Sequence, residues 1–252
     1  MNYYLLLVIV LFIYMNFWFL LSLRLKRNDL ADVAWGPGFV LLAWVSLINS
    51  EAFGIQNYFL ATLITIWGLR LSWHIHSRNR SKSEDFRYKQ WRIDWGKWFL
   101  IRSWLQVYML QGFLLFLVAL PVMMYNSSNL EPFSWLSGIG IVLWIIGFYF
   151  EAMSDYQLAQ FKKNPDNKGK IIRTGLWKYS RHPNYFGEVV LWWGIYFICL
   201  DSIAFWPSIA GPLIITYLII FVSGIPMLEK KYAGRADFED YKKSTSVFFP
   251  LP

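Results

Sequence analysis

The segment Thr174-Gly-Leu-Trp-Lys-Tyr-Ser-Arg-His-Pro-Asn-Tyr-Phe-Gly-Glu188 combines a glycine turn, a basic aromatic stretch, a proline helix start and a carboxylate. Arg181 and His182 suit a phosphate, Asn184 offers both donor and acceptor to a carboxamide or a base edge, and Tyr179 and Tyr185 can stack or hydrogen-bond. Pro183 fits a first helical turn, and the N-terminus of that helix attracts anions. Upstream, Glu151 and Asp155 stand at i and i+4 and so share one helix face. Two carboxylates repel, so such a pair persists where it meets cations or ligand hydroxyls such as nucleotide riboses; a solvated helix end paired to nearby lysines is the simpler alternative. Neither a Rossmann nor a Walker glycine pattern is present, so any nucleotide is held by another architecture.

Three further ionisable groups lie within or against apolar segments, where charge is expensive. Asp32, in Leu30-Ala-Asp-Val-Ala-Trp-Gly-Pro-Gly38, is either a helix cap or a group at the edge of a cavity that Gly and Pro open. Arg70 sits one turn inside its segment and either pairs with an acid or phosphate or reaches the interface. Glu188, about a turn into its own segment, is hard to explain as surface charge. Tyr88 lies in Glu84-Asp-Phe-Arg-Tyr-Lys-Gln-Trp-Arg92, a pattern that reads more readily as an amphipathic interfacial helix. His74 and His76, at i and i+2, do not share a face and make a poor metal pair, and the single Cys199 excludes a cysteine cluster within the chain, so no metal site is expected.

What must position these groups is a membrane. Of the 252 residues 56% are hydrophobic and 20% aromatic, far above the soluble norm. Apolar runs at residues 3–23, 33–48, 58–73, 98–125, 133–150, 185–200 and 205–227 predict an all-α protein with seven transmembrane helices and a retained first span. Basic residues collect after the first, third, fifth and last runs, and the other connections hold Glu51, Glu131 and Asp201 instead. The positive-inside rule then puts the N-terminus outside and the C-terminus in the cytoplasm. The net charge of +8 is thereby a topological signal, not a nucleic-acid footprint. One seven-helix domain spanning 1–252 is expected, with cytoplasmic segments 77–97, 155–183 and 229–252 carrying the chemistry.

Ser154-Asp155-Tyr156, Gly175-Leu-Trp, Asn184-Tyr-Phe-Gly-Glu188, the tail Phe238-Glu-Asp-Tyr-Lys-Lys243 and Phe249-Pro250 together resemble the steroid 5α-reductase-like membrane reductases, specifically their bacterial branch of largely unassigned substrate. The resemblance covers nearly the whole chain. It implies a seven-helix bundle that holds NADPH in its cytoplasmic half, with Asp155, Asn184, Tyr185 and Glu188 lining the cofactor. Glu151 stands where the family usually places an amide, and Lys162 near a basic phosphate contact. Tyr179, Arg181, His182, Arg173, Tyr232 and Arg235 are expected neighbours. Asp32 matches a glutamate that polarises the substrate ketone, and Arg70 a nearby arginine. The family's ketone-binding tyrosine is absent, Trp67 standing in its place, so Tyr88 is the candidate substitute or the substrate is not a 3-keto steroid.

These readings lead to NADPH-dependent reduction of an activated carbon–carbon double bond in a lipophilic, steroid-like substrate that enters from the bilayer. Asp32, protonated in a desolvated cavity, would act as a donor. The expected setting is a multi-pass protein of a bacterial inner membrane with its cofactor site on the cytoplasmic side, in contact with lipid and with no nucleic acid or obligate protein partner. Two rival classes are a membrane methyltransferase of the isoprenylcysteine type using S-adenosylmethionine, suggested by Arg181-His-Pro-Asn-Tyr185, and a non-enzymatic lipid-binding protein.

Overall fold

The computed structural model describes residues 2–51, 54–80, 82–129, 131–203 and 205–251. Ser81 and Pro252, within two of the expected cytoplasmic segments, lie outside the described residues. The helices in chain order are α1 (Tyr3–Leu25), α2 (Leu30–Ile48), α3 (Ile55–Asn79), α4 (Phe86–Trp95), α5 (Phe99–Arg102), α6 (Leu110–Val118), α7 (Leu120–Asn126), α8 (Trp135–Lys163), α9 (Pro183–Cys199), α10 (Phe205–Ser208), α11 (Ala210–Tyr217), α12 (Ile225–Tyr232) and α13 (Ala236–Ser244). Among the described residues no strand forms, only an isolated bridge between Ser180 and Ser246.

All seven predicted spans fall on helices, and five helical stretches have the length and apolarity to cross a bilayer: Tyr3–Leu25, Leu30–Ile48, Arg87–Val118, Trp135–Lys163 and Ala210–Tyr232. The other two fall short for different reasons. Helix α3 has 25 residues but carries Arg70, His74 and His76, whereas α9 has 17, a rise of about 25 Å against about 30 Å of hydrocarbon. Along α1, Leu5, Val8, Phe12, Ile13, Phe17 and Leu20 are exposed while Leu7, Leu11 and Met15 are buried. A helix apolar on every face belongs in lipid, and the chain is an integral membrane protein.

Local signals set the helix ends. The Asn2 side chain accepts from the Tyr4 and Leu5 N–H groups to start α1, and Lys26, with φ of 53°, ends it. Ser134 caps α8, which closes on Lys162 and Lys163 before Asn164-Pro165. Helix α8 therefore runs thirteen residues past the predicted end at 150, which makes Glu151, Asp155 and Lys162 helical. The expected cytoplasmic segment before the fourth span contains α4, helical as the amphipathic reading of residues 84–92 expects, and is continuous with that span through a 3₁₀ turn at Gly96–Trp98 and a π turn at Ser103–Met109.

The chain forms two compact units, one of residues 1–131 with 202–208 and one of 132–201 with 209–252. In the first, α2 and α3 meet through glycines: a Cβ on Gly36 would lie 2.2 Å from the Gly68 carbonyl oxygen, and one on Gly68 2.7 Å from that of Gly36. Away from Asp32 in the same unit, Asn57 donates to Asn126, which donates to Ser46 and to the Ala43 carbonyl, so the buried amides are satisfied within the helices. In the second unit α8 and α9 are joined more tightly. A Cβ on Gly140 would come within 2.6 Å of Gly194 O, and one on Gly147 within 2.6 Å of Gly187 O; the reciprocal approaches are 2.7 and 2.5 Å. Both glycine pairs recur at seven-residue spacing, two helical turns, so one stripe of each helix is bare backbone.

Candidate functional site

The glycine contact of α8 with α9 fixes where the acidic residues fall. A Cβ on Gly187 would sit 2.4 Å from the Glu151 backbone nitrogen, so Glu151 lies against the residue that precedes Glu188. One turn further along α8, Asp155 accepts a 3.2 Å hydrogen bond from the Asn184 amide near the start of α9. Glu151 and Asp155 are both buried, at 2% and 5% exposure. Four sequence candidates, Glu151, Asp155, Asn184 and Glu188, are thus brought to neighbouring turns of two helices.

The remaining candidates of this unit gather around the loop before α9 and the tail. The Trp177 indole donates to the Ser154 carbonyl, tying the loop to α8. Arg181 Nε donates to Glu229 Oε1 at 2.8 Å, and His182 Nε2 lies 3.2 Å from the same oxygen while its ring stacks on Tyr185. Arg181 Nη1 also donates to the Thr245 carbonyl at 2.7 Å. Ser180 Oγ donates to Phe248 O, Arg181 N to Ser246 O and Leu251 N to Tyr179 O. The Tyr241 hydroxyl donates to Trp177 O, and burial raises its pKa although Arg181 and Arg173 pull the other way. Arg181 and His182, expected to meet a phosphate, are turned onto Glu229 and the tail.

Arg173 donates to the Asp237 carbonyl and lies over the Tyr241 ring. Arg235 forms a two-point pair with Asp237 at 3.0 and 2.6 Å, donates to Gly169 O and stacks against Tyr232. The Arg235 hydrogen bonds outweigh burial and hold the Asp237 carboxyl below its usual range. Lys162 is exposed at the end of α8, and Tyr179 is exposed in the loop. The loop and tail that carry these basic and aromatic groups are tied to the Asp155 end of α8 through Trp177 and Gln157.

The first unit holds the other cluster. Asp32 on α2 accepts from the Tyr88 hydroxyl at 2.7 Å on Oδ1 and from Arg87 Nη2 at 2.8 Å on Oδ2. Helix α4 makes this possible: Asp85 caps it by accepting from the Arg87 N–H and also accepts from Arg87 Nε, both at 3.0 Å. Burial pushes the Asp85 carboxyl up, but Arg87, with Arg78 beyond it, outweighs that and holds it below its ordinary range. Tyr88 is 3% exposed, so it faces inward and not onto an interface as the amphipathic reading favoured. Both Asp32 carboxylate oxygens are thus already engaged, one by Arg87 and one by Tyr88. Arg70 lies on α3 two residues beyond the close-packed Gly68, half-buried.

Sequence reasoning passed over three residues. Arg87 was hidden in a basic run that topology already explained, and Glu229 directly precedes Lys230 and Lys231. Arg27 was read as an orientation signal only. It in fact pairs with Asp29 at 3.0 and 2.7 Å and donates to the carbonyls of Asn79 and Lys82, while Asn28 N donates to Glu84. The α1–α2 turn is thereby clamped to the segment that leads into α4. Adjacency to Tyr88 was the one available signal for Arg87.

The model of a family described as a protein of unknown function, DUF1295, matches residues 18–245. A 3-oxo-5-alpha-steroid 4-dehydrogenase 1 of Homo sapiens is 32% identical over 113 residues, 45% of this chain and 40% of that protein. The steroid 5-alpha-reductase DET2 of Gossypium hirsutum is 35% identical over 69 residues, 27% of each. An uncharacterized protein of Schizosaccharomyces pombe is 24% identical over 218 residues, 76% of this chain and 62% of that one. The chain spans less than half the length of the steroid enzymes it matches. No solved structure matches. With the family model covering most of its length, the chain belongs to the DUF1295 family, whose relatives are steroid 5-alpha-reductases.

Proposed function

We propose that the protein is an NADPH-dependent membrane reductase of an activated carbon–carbon double bond in a lipophilic, steroid-like enone that enters from the bilayer. The observation that carries this reading is the meeting of Asp155 with Asn184, between Glu151 and Glu188, at the glycine contact of α8 and α9. This donor set fits a dinucleotide: buried carboxylates for ribose hydroxyls, an amide for the carboxamide, Tyr185 and Tyr179 for stacking, and Lys162, Arg173 and Arg235 for phosphates, with Arg181 and His182 holding the loop. Tyr232, beside Arg235, completes the proposed cofactor set of this unit.

When bound, NADPH supplies hydride to the carbon β to a carbonyl. The protein's own part is to polarise that carbonyl, to orient the alkene and to exclude water. Asp32 and Tyr88, joined with Arg87, mark where the oxygen is polarised. Seven spans with the N-terminus outside and the C-terminus cytoplasmic, in a bacterial inner membrane, complete the proposal; the one-sided basic residues support it.

Titrating the detergent-purified protein with NADPH and with S-adenosylmethionine separates this reading from the methyltransferase. NADPH is expected to bind, and Asn184→Ala to weaken it by about tenfold, the worth of one or two lost polar contacts. Binding of S-adenosylmethionine alone would overturn the reductase.

A further inference from the structure

The cluster on α2 and α4 contains three polar side chains, and they are not equivalent. The Tyr88 hydroxyl donates to Asp32 and the residue is 3% exposed, so its proton is turned away from any incoming group. Arg87 is different. Its Nη2 donates to Asp32 Oδ2 and its Nε to Asp85 Oδ1, while Nη1 makes no hydrogen bond among the described residues. The Arg87 side chain is 24% exposed and Asp32 19%, so the guanidinium is the accessible donor of the three.

Its two carboxylate partners hold the fork from two sides. Asp85 is fixed as the cap of α4 by the Arg87 backbone N–H and is in the field of Arg78. Asp32 is fixed by Tyr88 as well as by Arg87. The Arg87 guanidinium carbon lies 5.4 Å from the Tyr88 ring centroid. A planar donor held this way cannot rotate to follow a ligand, which is the condition for a preorganised oxyanion contact.

We propose that Arg87 is the catalytic residue that touches the substrate oxygen, donating from Nη1 as that oxygen gains negative charge, with Asp32 and Tyr88 as the positioning residues behind it. The inference rests on the enone-reductase reading and deepens it. As hydride bonds to the β carbon, the alkene electron pair moves toward the α carbon and the carbonyl pair onto oxygen. Arg87 stabilises the resulting enolate without giving up a proton; water is excluded while the hydride transfers, and once admitted it supplies the proton that bonds to the α carbon and leaves as hydroxide. A guanidinium therefore does by fixed charge what a tyrosine would do by hydrogen bond.

The test uses an alkylated 2-naphthol, whose fluorescence distinguishes naphthol from naphtholate, bound to the detergent-purified full chain with no turnover. Wild type is expected to favour the naphtholate. Arg87→Gln should lower the bound naphtholate-to-naphthol ratio by about tenfold, Arg87→Lys by less, and Tyr88→Phe by less than about threefold, since the charged donor remains. Arg87→Lys keeps Asp32 and Asp85 compensated and supplies the comparison if Arg87→Gln does not fold. Wild type binding only neutral naphthol, Arg87→Gln or Arg87→Lys matching wild type, or Tyr88→Phe alone abolishing the effect would each overturn the assignment. Failure of the reductase reading shows separately, as NADPH left unoxidised with a 3-oxo-Δ4 steroid and with a simple alkyl enone.

Discussion

Replacing Gly187 by alanine puts a methyl group where the structure leaves no room. The new Cβ would stand 2.4 Å from the Glu151 nitrogen and 2.5 Å from the Gly147 oxygen, and both obstacles are backbone of α8, so no side chain can yield. Restoring ordinary contact requires the two helices to part by about 1 Å, and overpacking of this kind costs about 1–3 kcal/mol, here at the upper end. The same displacement stretches the 3.2 Å bond from Asn184 to Asp155 beyond hydrogen-bonding distance. Gly138→Ala is the matched comparison: it lies on α8 with nothing within 4 Å of the added Cβ, and alanine there should stabilise by up to about 1 kcal/mol through helix propensity. Thermal unfolding of both variants in one detergent, with NADPH affinity measured alongside, reads the two effects. Gly187→Ala melting with or above Gly138→Ala, with unchanged NADPH affinity, would refute the claim that bare backbone contact sets the site.

Two other outcomes follow from geometry. Arg27→Ala leaves Asp29, only 2% exposed, without its two-point partner; since the lost guanidinium is itself one-quarter exposed, the cost should be about 2–3 kcal/mol in a melt, and adding Asp29→Asn should recover part of it. Asp201 accepts from the Ser134 hydroxyl and N–H and from the Ser137 hydroxyl, which outweigh burial and hold its carboxyl below the usual range. A depressed carboxylate stabilises above its unfolded value and loses that contribution as pH falls through its folded one. The melting advantage of wild type over Asp201→Asn should therefore be full at pH 6 and vanish as the pH drops below about 4.

The membrane character was readable because bilayer thickness writes itself into run length, as along α1. Boundaries were less readable where composition and hydrogen bonding diverge. Helix α8 continues through Glu151, Asp155 and Lys162 because polar residues propagate a helix as readily as apolar ones once it has left the hydrocarbon. Asp32 could be suspected from its cost at the membrane. Its partnership with Tyr88 and Arg87 spans more than fifty residues and depends on α4 being turned by its Asp85 cap, which no local pattern encodes. The roles of Arg181 and Glu229 were hidden in the same way, since the one-sided gathering of basic residues had a sufficient topological explanation without them. The glycines, in contrast, were in plain view at seven-residue spacing, and only the pairing of α8 with α9 shows what they serve.

The tail's hold on the loop before α9 also has a timing. Ser180 and its partner Phe248 are 68 residues apart, which at a synthesis rate of about 5–20 residues per second separates their emergence by about 3–14 s. During that interval α9 can already be helical while the loop at its head waits for Glu229, Thr245, Ser246 and Phe248. Nascent chains stalled within that window would lack the tail's hold on the loop until release, which makes closure of this region a late event in the protein's biogenesis.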